Sequence, residues 1–300
     1  MLRLEGILPP IPTPFTNDGD LDFAALRENM SWWVTTGLSG VVVLGSNGEY
    51  VALREREKLE VIRRTRELVP AELCLIAGTG AESTRETIEV RQAAAGLGAD
   101  AVIVVTPHYY RSRMDAASLI AHYRTVADAC SVPVLLYNVP ANTGVDMTPD
   151  TVLALSEHPN IVGVKDSSGN IPSLTEVLRR KPENFAVFAG SASFLLPALA
   201  LGAVGGIVAL ANVVPVETVA LYGAFQRGDL ATARALQLRL LPVNAAITAR
   251  WGVPALKAAM TFLGHPGTTP RLPLLPLGDP ERQQLKQILT TAGLLDAVRA

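Results

Sequence analysis

Residues 134–166 read VLLYNVPANTGVDMTPDTVLALSEHPNIVGVKD, two short apolar runs (Val134 to Tyr137 and Ile161 to Val164) on either side of a segment with helical character. Thr148-Pro149 suits a helix N-cap followed by proline at the first helical position, where an amide N–H is not needed. Both runs are apolar at consecutive positions rather than alternating. A strand needs that pattern when both faces of its sheet are covered. Strand, helix, strand in this order predicts a right-handed crossover between parallel neighbours.

The same unit recurs on both sides. Apolar runs at Gly6 to Pro10, Val41 to Leu44, Leu73 to Ala77, Ala101 to Val105, Phe185 to Ala189 and Gly206 to Leu210 bring the number of expected strands to eight. Between them lie helical patterns. From Arg54 to Val69, the positions Val61, Ile62, Thr65, Leu68 and Val69 form one stripe, and Ser83-Thr84-Arg85-Glu86 fits a capping box. Eight strand–helix repeats favour closure into a (β/α)8 TIM barrel over a doubly wound open sheet. From about Asp229 the chain is helical without strands, with runs at Ala231 to Leu241, Val253 to Leu263 and Glu281 to Ala300. The expected division is a catalytic barrel over residues 1–228 and a C-terminal helical extension over 229–300, packed on the barrel.

Of the 300 residues, 49% are hydrophobic, enough for a large core, and the formal charge of −2 argues against non-specific nucleic-acid binding. No charged residue lies between Glu183 and Glu217, but Pro197, Gly202, Gly205, Gly206 and Pro215 punctuate that stretch, so it reads as core rather than membrane span. The start of the chain has no signal-sequence pattern, and Cys74 and Cys130 read as reduced core thiols, so a cytoplasmic location is expected. His108, His122, His158 and His265 are scattered singly, without metal-ligand spacing, and read as solvated or satisfied.

In a barrel of this kind the chemistry belongs at the C-terminal ends of the strands. The five lysines are Lys58, Lys165, Lys181, Lys257 and Lys286. Lys58, Lys181 and Lys286 sit among polar neighbours, and Lys257, on an apolar-rich helix, is expected to snorkel to solvent. Lys165 closes the strand Ile161 to Val164. An ammonium over an apolar barrel mouth tends to lose its proton, giving an amine that can attack a ketone; the alternative is a lysine paired with Asp166. Tyr137 ends the preceding strand and could shuttle protons beside Lys165, or simply pack. Gly45-Ser46-Asn47-Gly48 permits a tight loop whose N–H groups converge on an anion such as a carboxylate. Gly78-Thr79-Gly80 lacks the third glycine of a dinucleotide fingerprint.

Together, Gly45-x-x-Gly48-Glu49, Thr106-Pro107 with Tyr109, Tyr137-Asn138-Val139-Pro140-x-x-Thr143-Gly144, Gly163-x-Lys165-Asp166 and Gly190-Ser191 resemble the dihydrodipicolinate synthase/N-acetylneuraminate lyase family over nearly the whole chain. The resemblance implies a homotetramer (a dimer of dimers) with Schiff-base chemistry on pyruvate and no metal or other cofactor. It implies Lys165 as the Schiff-base residue, Tyr137 as proton relay, Ser46 and Asn47 at the hydroxyl-relay and pyruvate-carboxylate positions, Tyr109 reaching a neighbouring subunit's site, and Gly190 and Ile207 lining the pyruvate pocket. Two departures matter: Ser46-Asn47 stands where the synthases usually have two threonines, and Asn142 where they have an arginine that clamps the second substrate's carboxylate. The motifs there look more similar to 4-hydroxy-2-oxoglutarate aldolase, in which Ser167 and Asn142 would hold the distal carboxylate. The expected reaction is cleavage of a 4-hydroxy-2-oxo acid to pyruvate and a small aldehyde such as glyoxylate. The alternatives are a dihydrodipicolinate synthase, a sugar-acid aldolase or dehydratase, or a non-catalytic 2-oxo acid binding protein on the same barrel.

Overall fold

The computed structural model describes residues 4–129 and 131–296. The readings of Cys130, of the first three residues and of the last four residues of the final expected helix lie outside the described residues. Eight parallel strands form a (β/α)8 barrel: β1 Gly6–Leu8, β2 Gly40–Val43, β3 Cys74–Gly78, β4 Ala101–Val105, β5 Val134–Asn138, β6 Ile161–Asp166, β7 Ala186–Ala189 and β8 Gly205–Ile207. From β2 to β8 each strand pairs with the next, and β1 pairs with β8. The ring closes just past the end of β1, where the Ile11 amide donates to the Val42 carbonyl (2.8 Å) and the Val42 amide to the Pro9 carbonyl (2.9 Å).

The consecutive apolar runs divide between two cores. Leu8, Val42, Ile103, Leu135, Tyr137, Phe188 and Ile207 pack together inside the ring. Their neighbours Val41, Val43, Val102, Val104, Leu136 and Val187 face outward against the helices. Side chains of a strand alternate between faces, so one run serves both cores.

A helix follows each strand: Phe23–Trp33, Glu55–Leu68, Thr84–Gly96, Ala116–Asp128, Pro149–Ser156, Ile171–Arg180, Leu195–Ala200 and Pro215–Gln226. Several start where a side-chain oxygen accepts an otherwise unpaired N–H: Ser83 from Glu86, Asp115 from Ser118, Thr148 from Thr151 and Asn170 from Ser173. Helices Leu230–Ala245, Gly252–Phe262 and Asp279–Thr291 follow, the first two joined through a π-helical turn, Ala246–Arg250.

Three expectations need correction. The eighth strand ends at Ile207, because the chain turns into a 3-10 helix over Ala209–Asn212. Strand β6 runs on to Asp166, so Lys165 lies within it rather than after it. The last helix stops at Thr291, two residues before Gly293 takes a left-handed φ of 68°.

Candidate active site

Lys165 projects from β6 into the C-terminal end of the barrel and is 4% exposed. In register it faces Tyr137 on β5 and Phe188 on β7. Equal register puts the three side chains on one face, and the Lys165 ammonium stands 4.2 Å from the centre of the Tyr137 ring. Asp166, the next residue, points the other way. Its carboxylate accepts from Asn138 Nδ2 (2.9 Å) and Ser168 Oγ (2.6 Å), so it is engaged away from Lys165.

The Tyr137 hydroxyl lies 3.4 Å from Ser46 Oγ. That is long for a hydroxyl–hydroxyl bond, as catalytic contacts in unliganded sites often are. Burial pushes the phenol's pKa up, but the Lys165 charge and hydrogen bonds with Ser46, Ser167 and Lys165 outweigh it, leaving the pKa below its usual value. A second tyrosine in the same cleft is pushed in the opposite direction. Tyr50, which the sequence reading missed, is raised to about 12 by burial and by Glu82 and Tyr137. One phenol is thus readied to give up a proton and the other to keep it. The signal for Tyr50 was its place directly after the Gly45–Glu49 motif. Val42, Ile103 and Val105 give the cleft its apolar lining.

Ser46 arrives on a 3-10 turn, Ser46–Gly48, which also carries the half-buried Asn47. Two non-glycine residues with left-handed backbone bracket the turn, Leu44 (φ 58°) and Glu49 (φ 54°). Gly78 makes room for the first, since a Cβ there would overlap the Leu44 carbonyl oxygen. Ser167 follows β6, and Gly190 opposite it must lack a side chain: a Cβ would overlap Ser167 Oγ and come within 2.6 Å of the Asp166 carbonyl oxygen. Asn244, from the helix Leu230–Ala245, holds the next residues by donating to Ser191 Oγ (3.2 Å) and Ser193 Oγ (2.9 Å). Ile207 is wholly buried in the barrel interior with Tyr137.

Two expected site residues stand apart. Tyr109 is 76% exposed and packs edge-on against Tyr110, with ring centres 5.0 Å apart. Its loop is fastened by Glu82, which accepts from the amides of His108 (2.9 Å) and Tyr109 (2.8 Å) and pairs with His108 Nδ1. Asn142 is exposed on the short helix Pro140–Thr143. Close by, Arg111 packs on Gly144, where an added Cβ would meet Arg111 Nη1 at 3.4 Å. Lys257 corrects a further expectation. It does not reach solvent but is buried in an ion pair with Glu49 at 2.7 Å. Among the described residues no group of three or more His, Cys, Asp or Glu is placed to hold a metal ion, and no helix is long and apolar enough to cross a membrane.

Comparison with known proteins adds the following. The dihydrodipicolinate synthetase family matches residues 3–292. A 4-hydroxy-tetrahydrodipicolinate synthase from Methanothrix thermoacetophila is 38% identical over 286 residues, covering 95% of this chain and 96% of its own. The enzyme of that name from Neisseria gonorrhoeae is also 38% identical, over 97% of this chain and all of its own (100%). Among solved structures, a dihydrodipicolinate synthase from Bacillus anthracis superposes with a TM-score of 0.93 at 32% identity, covering 97% of this chain and 99% of its own. YagE, a prophage protein of the dihydrodipicolinic acid synthase family from E. coli K12 in complex with pyruvate, gives 0.93 at 33% identity with the same coverage of 97% and 99%. Both sequence relatives carry the synthase name rather than that of 4-hydroxy-2-oxoglutarate aldolase, which favours the alternative over the first reading of the motifs.

Proposed function

Because the chain belongs to the dihydrodipicolinate synthetase family, a family of class I pyruvate-dependent aldolases, we propose that Lys165 forms a Schiff base with pyruvate and that the enzyme joins the bound pyruvate to a carboxylate-bearing aldehyde. The observation that carries this reading is the Lys165 amine held 4.2 Å over the Tyr137 ring at the barrel mouth.

The amine attacks C2 of pyruvate, and Tyr137 delivers the proton with which the carbinolamine oxygen leaves as water. The iminium acidifies C3, which gives up a proton to form the enamine. The enamine carbon attacks the aldehyde, Tyr137 protonates the new alkoxide, and water hydrolyses the iminium that results, freeing the Lys165 amine and the 4-hydroxy-2-oxo acid. Ser46, and Tyr109 from a neighbouring chain, pass protons between Tyr137 and solvent. The Ser46-Asn47 turn receives the pyruvate carboxylate, and Gly190 and Ile207 shape the pocket around it. The reverse sequence cleaves a 4-hydroxy-2-oxo acid. A protein that only bound 2-oxo acids would need neither the amine nor the paired phenol.

The names of the relatives support aspartate semialdehyde as the aldehyde, and hence the synthase reaction. Arg111, beside Gly144, supports it too, by bringing a positive charge near the loop in which Asn142 has none. One observation favours a second reading, cleavage of 4-hydroxy-2-oxoglutarate to pyruvate and glyoxylate: Asn142 cannot clamp a carboxylate in bidentate fashion, and the shorter aldehyde asks less of that position. In this reading Ser167 and Asn142 hold the distal carboxylate.

Borohydride reduction in the presence of pyruvate, followed by intact mass, tests the Schiff base; no adduct overturns it. Comparing kcat/KM for the two aldehydes then decides the reaction. The synthase reading expects aspartate semialdehyde to be preferred, and Arg111→Met to cost it about ten- to a hundredfold, the worth of one charged hydrogen bond. Preference for glyoxylate by tenfold or more, narrowed by Asn142→Arg, establishes the aldolase.

A further inference from the structure

The buried pair Glu49–Lys257 lies outside the reacting cleft, yet it ends on the turn that carries Ser46 and Asn47. We propose that Lys257 and Glu49 are positioning residues: the helical segment after the barrel reaches through Lys257 to Glu49 and holds the Ser46–Gly48 turn in the conformation that meets pyruvate. This rests on the reading that Ser46 and Asn47 serve a pyruvate Schiff base.

The Lys257 ammonium pairs with Glu49 Oε1 at 2.7 Å and donates to the Thr13 carbonyl at 2.8 Å and the Thr269 carbonyl at 2.9 Å. Those acceptors come from the loop after β2, the loop after β1 and the segment beyond the helix Gly252–Phe262. The Phe15 ring closes a further side, 4.5 Å from the nitrogen. Glu49 is held as tightly, because its other oxygen accepts from the Arg271 amide at 2.8 Å. Thr13, which receives Lys257 through its carbonyl, donates its hydroxyl to the Gly48 carbonyl at 2.7 Å. One cation therefore fastens the turn both through Glu49 and through Thr13.

The backbone shows what the fastening is for. Glu49 and Leu44, both left-handed, bracket the turn. Non-glycine residues keep that conformation only where their surroundings over-determine it, and such positions gather at functional sites. Stability alone is a poor reason for the pair. Both side chains are only 1% exposed, and well-packed apolar residues of similar volume commonly replace a buried ion pair at little or no loss. An ion pair whose two members are each also bonded to backbone groups of other segments does supply direction, and direction is what a turn presenting Ser46 to Tyr137 requires.

Lys257→Met alone strands a buried carboxylate and risks unfolding, so the informative variant is Lys257→Met/Glu49→Gln, which leaves no buried charge. In the full-length protein this variant is expected to fold and still to form the borohydride-trapped pyruvate adduct on Lys165. Its KM for pyruvate should rise and its kcat fall, together lowering kcat/KM by about 10²-fold, the scale of an ångström-sized misplacement. Hydrogen exchange of residues 44–53 should accelerate. Arg66→Met is the comparator, since its side chain pairs with Asp100 (3.0 Å) and donates to the Val69 carbonyl (2.7 Å) near the N-terminal ends of β3 and β4, the opposite end of the strands from the 46–48 turn. It should lower Tm while leaving kcat and KM within about threefold. A folded double variant with wild-type kcat and KM overturns the proposal, as does an equal kinetic loss in Arg66→Met. Absence of adduct in the wild type would instead overturn the functional reading, and the exchange of residues 44–53 would still report whether the pair sets the turn.

Discussion

The ammonium of Lys257 has three oxygens within 2.9 Å, one of them a carboxylate's, whereas Lys165 has beside it the face of Tyr137 and a carboxylate turned away. The Lys257 nitrogen is enclosed by its partners, whereas the Lys165 nitrogen lines the cleft, where a ketone can reach it. Lys165→Ala is accordingly expected to abolish both turnover and the pyruvate adduct while circular dichroism stays native, and a trapped adduct mapping to Lys257 would reverse the assignment. Tyr137→Phe should keep the adduct but lower kcat by about 10²–10⁴, the usual worth of a positioned acid–base group; a change in KM alone would make the phenol a packing residue. Gly190→Ala places a methyl in the space of Ser167 Oγ and against the Asp166 carbonyl. Steady-state kinetics should show at least about a tenfold rise in KM for pyruvate, with the fold retained.

Helix boundaries in this chain follow local chemistry closely. Ser83 and Thr148 cap the helices they were read to cap, because a cap needs only a side chain within three residues of the N–H it satisfies. Contacts between elements follow no such rule, and His122 illustrates it. From the helix Ala116–Asp128 it meets the first turn of the preceding helix, Thr84–Gly96, where its Nδ1 lies 3.0 Å from Thr84 Oγ1. Burial lowers its pKa from 6.5 to about 4. Between those values the unfolded chain binds a proton that the folded chain does not, so stability is full above pH 6.5 and falls as the pH drops towards 4. The whole shift amounts to about 3 kcal/mol. Denaturant titrations between pH 7.5 and 5 should show this loss in the wild type and a flatter profile in His122→Phe. An equal slope in both would place the effect elsewhere.

At the scale of the whole molecule, Tyr109 is 76% exposed, on a loop that Glu82 holds firmly. An exposed aromatic pair on a fastened loop is the kind of surface that a partner protein covers, and the proposed function makes that partner another copy of the chain. The active form is therefore expected to be an oligomer, with sedimentation at assay concentration as the check; a fully active monomer would contradict it. A mixing experiment goes further. Lys165→Ala and Tyr109→Phe chains, each impaired alone, should regain activity in about a quarter of the sites when mixed, because an intact lysine from one chain meets an intact tyrosine from the other across a symmetric interface.

The sequence by itself determined the number and order of the strands, the barrel class and the placing of Lys165 and Tyr137 at adjacent strand ends. All of these follow from apolar runs, caps and spacing, which act over a few residues. It did not reveal which alternate positions face the interior, because consecutive apolar residues look alike until closure of the ring gives each strand an inside. Nor did it pair Glu49 with Lys257, read there as solvated, across 208 positions. An apolar helix with one lysine has the same local pattern whether that lysine reaches water or a buried carboxylate. Only the packing of the C-terminal helices on the barrel brings the carboxylate within reach, and with it the support of the turn that carries Ser46.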